Sequence, residues 1–284
     1  MTATRSLAVA FFVVAATVTV AGCGAVPTPM SEPANATTAS AAASPTGAQT
    51  AERVVPGVTA DGVVDATALV QAHVRALTER SFTVTRRVRG VDTATNETTR
   101  ELTATWRIDA RDGFRGTYES RWVTVPQSLV GDRRPPEAVS TYRADETVSR
   151  RIVTDAGDAG DENVTFDRPP LTDTVLRLTP ALHRAPVAAL GDAEEVSVQS
   201  VTRDGTQRYR IAARLPENRI RSNRTVELLV TPEGRVTDIR HRFVRDATGS
   251  VVTRTIRFRA VGETRVERPA WYETAQNATS GETA

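Results

Sequence analysis

The stretch Leu102-Thr103-Ala104-Thr105-Trp106-Arg107-Ile108 alternates apolar and polar side chains without a break. Side chains along a β-strand point to opposite faces in turn, so a period of two marks a strand with one buried and one wetted side. The same period extends outward in both directions. Phe82, Val84 and Val88 alternate before it, and Asp112-Gly113 is a hairpin turn after it. Residues 114–125, with Tyr118 and Trp122, read as the next strand, and residues 139–142 and 147–154 as a pair around Ala144-Asp145-Glu146. In the C-terminal half Val196 and Val198 alternate, Asp204-Gly205 turns, and Tyr209, Ile211, Ala213 and Leu215 share a face. Residues 225–230 and 236–244 flank Pro232-Glu233-Gly234, and Ala247-Thr248-Gly249 leads into 251–261, where Val252, Ile256, Phe258 and Ala260 face together. Strands at hairpin spacing predict an antiparallel sheet.

Helical periodicity appears at two places. After a turn-rich opening at Pro56-Gly57-Val58 and Asp61-Gly62, Asp65 can cap a helix running to about Arg80. Its Leu69, Val70, His73, Val74 and Leu77 recur at three- and four-residue spacing and form one buried stripe. His73 lies on that stripe and is expected to be a packed, hydrogen-bonded core residue. Residues 171–190 are leucine-rich and broken by Pro180 and Pro186, which predicts two short helices packed over the sheet as a lid. The acid- and glycine-rich stretch 155–161 lacks the spacing of a calcium loop and reads as a solvated connection. His241, among Arg240, Arg242 and Arg245, reads as a surface residue. The expected fold class is α+β: one large curved antiparallel sheet with an N-terminal helix and a central helical lid.

The N-terminus carries a different signal. Arg5 precedes an apolar run from Leu7 to Val20, and Val20-Ala21-Gly22-Cys23 places small residues before the only cysteine. The apolar stretch falls short of the roughly 20 residues that span a bilayer. Residues 1–22 therefore read as a signal peptide, and Cys23 as a lipidated N-terminus that holds the protein on the outer face of the cytoplasmic membrane. Residues 23–55, rich in Ala, Ser, Thr and Pro, cannot bury enough surface to offset their ordering entropy and read as a disordered stalk. Residues 56–274 read as the folded domain and 275–284 as a disordered tail. Asn35, Asn96, Asn163, Asn223 and Asn277 each begin an Asn-x-Thr sequon, which marks them as candidate N-glycosylation sites on an exported chain.

Composition narrows the function. The 36 basic residues are all arginine, and 34 acidic residues nearly balance them. This argues against a nucleic-acid binder, which concentrates positive charge on one face. A single cysteine excludes an intramolecular disulfide and a cysteine-rich zinc site. Three dispersed histidines offer no metal spacing, and no nucleophile elbow, phosphate loop or zinc-protease motif occurs. The chain is expected to be a non-enzymatic monomer without cofactor or metal.

The lipidation site, the stalk and Pro56-Gly57-Val58…Asp61-Gly62-Val63…Asp65…Leu69…His73…Leu77, leading into Ser81-Phe82-Thr83-Val84, resemble a group of haloarchaeal surface lipoproteins. The strand-turn-strand from Val226 to Phe243 and the closing Pro269-Ala270-Trp271 share that resemblance, which covers about residues 54–274. In layout these are similar to the carriers LolA and LolB and to the LprG type of lipid-binding lipoprotein. The resemblance implies a half-barrel with a helical lid over a space that takes acyl chains. Phe82, Trp106, Trp122, Leu176 and Leu182 are the candidate lining of such a space. The alternative is a surface structural or interaction protein in which the same residues form a closed core.

Overall fold

Along strand β5 (Thr98–Asp109) Leu102, Ala104, Trp106 and Ile108 are buried, while the threonines and arginine between them stay partly exposed. In the computed structural model the residues described are 52–63, 65–78, 80–109, 115–124, 136–144, 147–155, 162–170 and 184–280. Period-two strands continue on both sides of β5: β4 (Phe82–Asp92), β6 (Arg115–Thr124), β7 (Ala138–Ala144), β8 (Thr147–Asp155) and β9 (Glu162–Asp167). The C-terminal half adds β10 (Glu195–Arg203), β11 (Thr206–Leu215), β12 (Arg221–Val230), β13 (Val236–Arg245) and β14 (Ser250–Arg259). Among the described residues these eleven strands form one sheet, in the order β10-β11-β12-β13-β14-β4-β5-β6-β7-β8-β9, antiparallel at every step. The last strand of the second block pairs with the first of the first block, setting Phe258 opposite Val84, so the two blocks share one sheet. Strands β9 and β10 stand at opposite edges, and the sheet is not closed.

A small three-stranded sheet, β1 (Arg53–Val55), β2 (Val58–Thr59) and β3 (Gly62–Val63), forms where the sequence reads as the end of the disordered stalk, residues 53–55, and a turn-rich opening. Val55 is buried in the main core, so the folded part starts before residue 56. Gly57 sits in its first turn at φ 77°, and a Cβ there would meet the Asp65 carbonyl oxygen at 2.0 Å. The Asp65 amide donates to the Gly57 carbonyl at 3.0 Å, which ties this turn to the start of helix α1 (Ala66–Leu77). Asp65 is the N-cap, its carboxylate accepting from the Ala68 amide at 2.9 Å. Replacing Asp65 with alanine removes that acceptor and is expected to lower unfolding free energy by about 1 kcal/mol, read as a reduced urea midpoint at unchanged slope.

Helix α1 buries Leu69, Ala72, His73 and Leu77 against the sheet. The His73 ring meets Phe258 edge-on at 4.9 Å between centroids, and its Nδ1 accepts from the Val236 amide at 3.2 Å. Phe258, Val84, Trp106 and Tyr118 line up across four strands on this helix-bearing face. With Leu69, Ile211, Leu228 and Ile239 they form the main core. Residues 184–188 are helical and continue into a 3-10 turn at Ala189–Asp192, placing Val187 and Leu190 in the same core. Residues 171–183 of the expected lid, with Leu176 and Leu182, lie outside the described residues.

The C-terminus departs from expectation. Residues 275–280, read in sequence as part of a disordered tail, belong to helix α2 (Tyr272–Ser280). The helix is polar in sequence, and tertiary contacts hold it. Tyr272 stands edge-on to Tyr142 at 5.1 Å, Trp271 stacks near Phe166 at 6.4 Å, and the Gln276 amide donates to the Ser149 hydroxyl at 3.1 Å. Tyr142 and Ser149 are paired across strands on the face opposite Trp106, so α1 and α2 pack on opposite faces of the sheet.

Candidate functional site

The helix-bearing face does not stay apolar along the whole length of its strands. On β4 its residues run Phe82, Val84, Arg86, Val88, and on β14 they run Phe258, Ile256, Arg254, Val252. On β13 they run Ile239, His241, Phe243. Register places Arg254 directly opposite both Val88 and His241, and Val252 opposite both Gly90 and Phe243. Arg100 lies opposite Gly90, and Leu102 opposite Val88 and Trp122. A bulge in β12 between Ser222 and Thr225, with Asn223 at φ 46°, lets both Arg221 and Arg224 serve this face.

The result is a second apolar cluster of Val88, Leu102, Phe243 and Val252, flanked by the half-buried Trp122 and separate from the core under α1. Guanidinium groups cover its aromatic rings and, at the border with the main core, Trp106. Arg221 lies 4.7 Å and Arg254 5.2 Å from the Phe243 centroid, Arg100 6.0 Å from Trp122, and Arg86 5.3 Å from Trp106. Such contacts contribute on the order of 1 kcal/mol each, more when desolvated.

No carboxylate among the described residues pairs with Arg86, Arg100, Arg221, Arg245 or Arg254. The opposite face is different. There Arg107 pairs with Glu119 at 3.5 Å, Arg210 with Glu227 at 3.0 Å, and Arg259 and Arg257 with Asp238 at 3.0 and 3.5 Å. Arg87 also pairs with Glu101 on that side. Around the second cluster two cations instead meet, Arg221 standing cross-strand from Arg245, while Arg254 stands cross-strand from His241. Like charges set directly opposite destabilise a sheet.

The protonation equilibria register this crowding. Burial, then Arg221, Arg86, Arg100 and Arg245, pushes Arg254 down to about 10. Burial and then Arg245 lower Arg100 as well. Burial, then Arg254, Arg224 and Arg221, brings His241 to about 4, so its ring is neutral at pH 7. His241 is therefore not the surface residue that its arginine neighbours in sequence imply. It is half-buried and faces the cluster, because the β13 register turns Arg240 and Arg242 to the other side. Removing one cation from this group is expected to relieve repulsion. Arg254→Gln should raise the thermal midpoint of ligand-free protein by a few degrees, about 1 kcal/mol.

The candidate lining residues fall in different surroundings. Trp106 is 0% exposed and Phe82 is buried, both inside the packed core. Trp122 is half-buried beside the second cluster. Cys23 and Asn35 lie outside the described residues, whereas Asn96, Asn163, Asn223 and Asn277 are all exposed. A groove of about 440 Å³ runs over the opposite face between Glu195, Arg214, Glu227, Arg240 and Arg242. Its open, mixed-sign lining is unsuited to an apolar ligand. Among the described residues no group of three or more His, Cys, Asp or Glu side chains is placed to hold a metal, and no helix is long and apolar enough to cross a membrane.

No protein-family model and no curated protein sequence matches the chain. Among solved structures it is similar to LprF from Mycobacterium bovis, at 13% identity over 72% of this chain and 95% of that one, with a TM-score of 0.38. It is also similar to a LolA superfamily protein from Nitrosomonas europaea, at 10% identity over 72% of this chain and 96% of that one, TM-score 0.24. A DUF1329 family protein from Desulfovibrio piger gives 11% identity over 73% of this chain and 96% of that one, TM-score 0.26. Likeness at this level carries no functional argument.

Proposed function

We propose that this protein is a lipoprotein anchored through Cys23 on the outer face of the membrane, and that it binds a lipid or other apolar ligand without catalysis. The observation that carries the proposal is the second apolar cluster with Trp122. It lies on the helix-bearing face beyond the core that α1 closes, and among the described residues its rings are covered by arginine side chains. Arginine stems are long and flexible, so a hydrocarbon chain can take their place over Phe243 and Trp122 while the charged heads stay in water. Loss of apolar surface from water would drive binding, at roughly 25 cal/mol per Å².

A second reading has its own support. The core under α1 is filled: Trp106, Leu69, Val187, Ile211 and Leu228 are each 0% exposed. A ligand housed between α1 and the sheet would have to displace this packing, and a protein whose whole face is packed this way would serve as a surface structural or interaction protein. Full-length protein extracted from its own membrane in mild detergent, followed by lipid extraction and mass spectrometry, separates the two. A lipid retained near one per chain supports the binding protein. A chain recovered without lipid supports the closed core.

A further inference from the structure

Resting on that binding reading, we infer that the ligand is an anionic lipid, its acidic headgroup held by Arg86, Arg100, Arg221 and Arg254 and its hydrocarbon laid against Phe243 and Trp122. The charge pattern carries the inference. Arg87, Arg107, Arg210, Arg257 and Arg259 on the opposite face each pair with a carboxylate, and on the helix-bearing face Arg150 pairs with Asp167 far from the second cluster, whereas the four arginines around that cluster have no carboxylate partner among the described residues. Half-buried guanidiniums without a counter-charge carry a desolvation penalty that their mutual repulsion enlarges. Three side-chain nitrogens in this band, Arg86 Nε, Arg224 Nε and His241 Nε2, are buried and make no hydrogen bond. Buried polar groups left this way are uncommon in folded proteins.

An anion resolves each of these costs together. A phosphate or sulfate oxygen accepts from planar guanidinium forks bidentately, and the neutral His241 ring can share in the network. The surrounding rings and Val88, Leu102 and Val252 specify what is attached to that anion. Arginine side chains now cover these buried residues, so a small free anion that drew the guanidiniums away would leave them bare. An acid headgroup joined to acyl or isoprenoid chains satisfies both halves of the patch.

The test uses the full-length chain, stripped of bound lipid and kept in nonionic detergent, with retention read by native mass spectrometry. The probes are phosphatidylglycerol and diacylglycerol of matched chain length, offered in equal amounts, and glycerol phosphate alone. Phosphatidylglycerol is expected to be retained at least about tenfold better than either of the others, since charge-assisted contacts amount to well over one tenfold step. The double variant Arg86→Gln, Arg254→Gln is expected to lose that preference and keep its diacylglycerol. Arg87→Gln, on the opposite face, should change nothing. If the double variant does not fold, Arg100→Gln alone must show the same loss of preference. Equal retention of both lipids overturns the anionic headgroup and leaves lipid binding standing. Glycerol phosphate bound as tightly as phosphatidylglycerol overturns the lipid in favour of a free-anion site. Retention of neither lipid overturns the binding reading itself.

Discussion

Trp106→Ala is expected to cost about 4 kcal/mol, in the range for removing a large aromatic from a closed core. Trp106 is 0% exposed, stands 5.0 Å from Tyr118 between centroids, and joins the main core beneath α1. For a domain of this size that loss lowers the thermal midpoint by roughly 10 °C, measured by circular dichroism on the full chain. The size of the effect also separates the two ends of the helix-bearing face. A loss below about 1 kcal/mol would mean that the space under α1 is hollow or readily collapses. Trp122 is half-buried, so its replacement by alanine should cost far less stability.

Acidification is expected to unfold the protein progressively through His73. Burial, and secondarily Arg235, holds this imidazole down at about 4 against an ordinary 6.5. Its Nδ1 accepts the Val236 amide, so the neutral ring is the form that the fold requires. In the unfolded chain the ring takes up a proton as pH falls below 6.5, whereas in the fold it does so only near 4. The unfolded state thus binds more protons in that window, and stability rises with pH across it. Stability from this residue is complete above about pH 6.5 and declines by up to about 3 kcal/mol as pH falls towards 4. His241 acts with the same sign and a smaller amplitude, because it is only half-buried. Urea unfolding at pH 7, 6, 5 and 4 measures the slope, and His73→Gln should flatten most of it. An unchanged slope in that variant would assign the pH dependence elsewhere.

The strands were legible because alternation is a local signal. Leu102 to Ile108 could be read without knowing its partners, and Asp65 with Leu69, His73 and Leu77 likewise declared α1. Elements held by distant contacts gave no such signal. Helix α2 has no apolar stripe, and among its described side chains only Ala275 is buried. Its place depends on Tyr142, Phe166 and Ser149, more than a hundred residues away. The small opening sheet is made of strands of two or three residues, too short for any period to show.

The candidate site was hidden for a related reason. Arg86, Arg100, Arg221 and Arg254 are scattered among 36 arginines and nearly balanced by acids, so composition alone reads as neutral. Only the pairing of β14 with β4, together with the β12 bulge, brings them to one face. His241 shows the same limit in a single residue. Its neighbours in sequence, Arg240 and Arg242, belong to the other side of the sheet, and its neighbours in space, Arg254 and Arg221, come from other strands.

The central claim is that hydrocarbon lies on the second apolar cluster and not under α1. Tryptophan fluorescence tests this directly when the full-length protein is loaded with a lipid brominated along its acyl chains, because bromine quenches only at close range. Trp122 borders the proposed site, Trp106 is enclosed in the main core, and Trp271 packs against Phe166 near α2. Brominated lipid is expected to quench wild-type emission, and Trp122→Phe is expected to abolish that quenching while binding persists. Quenching that survives Trp122→Phe and disappears in Trp106→Phe would place the ligand beneath α1 and contradict the account.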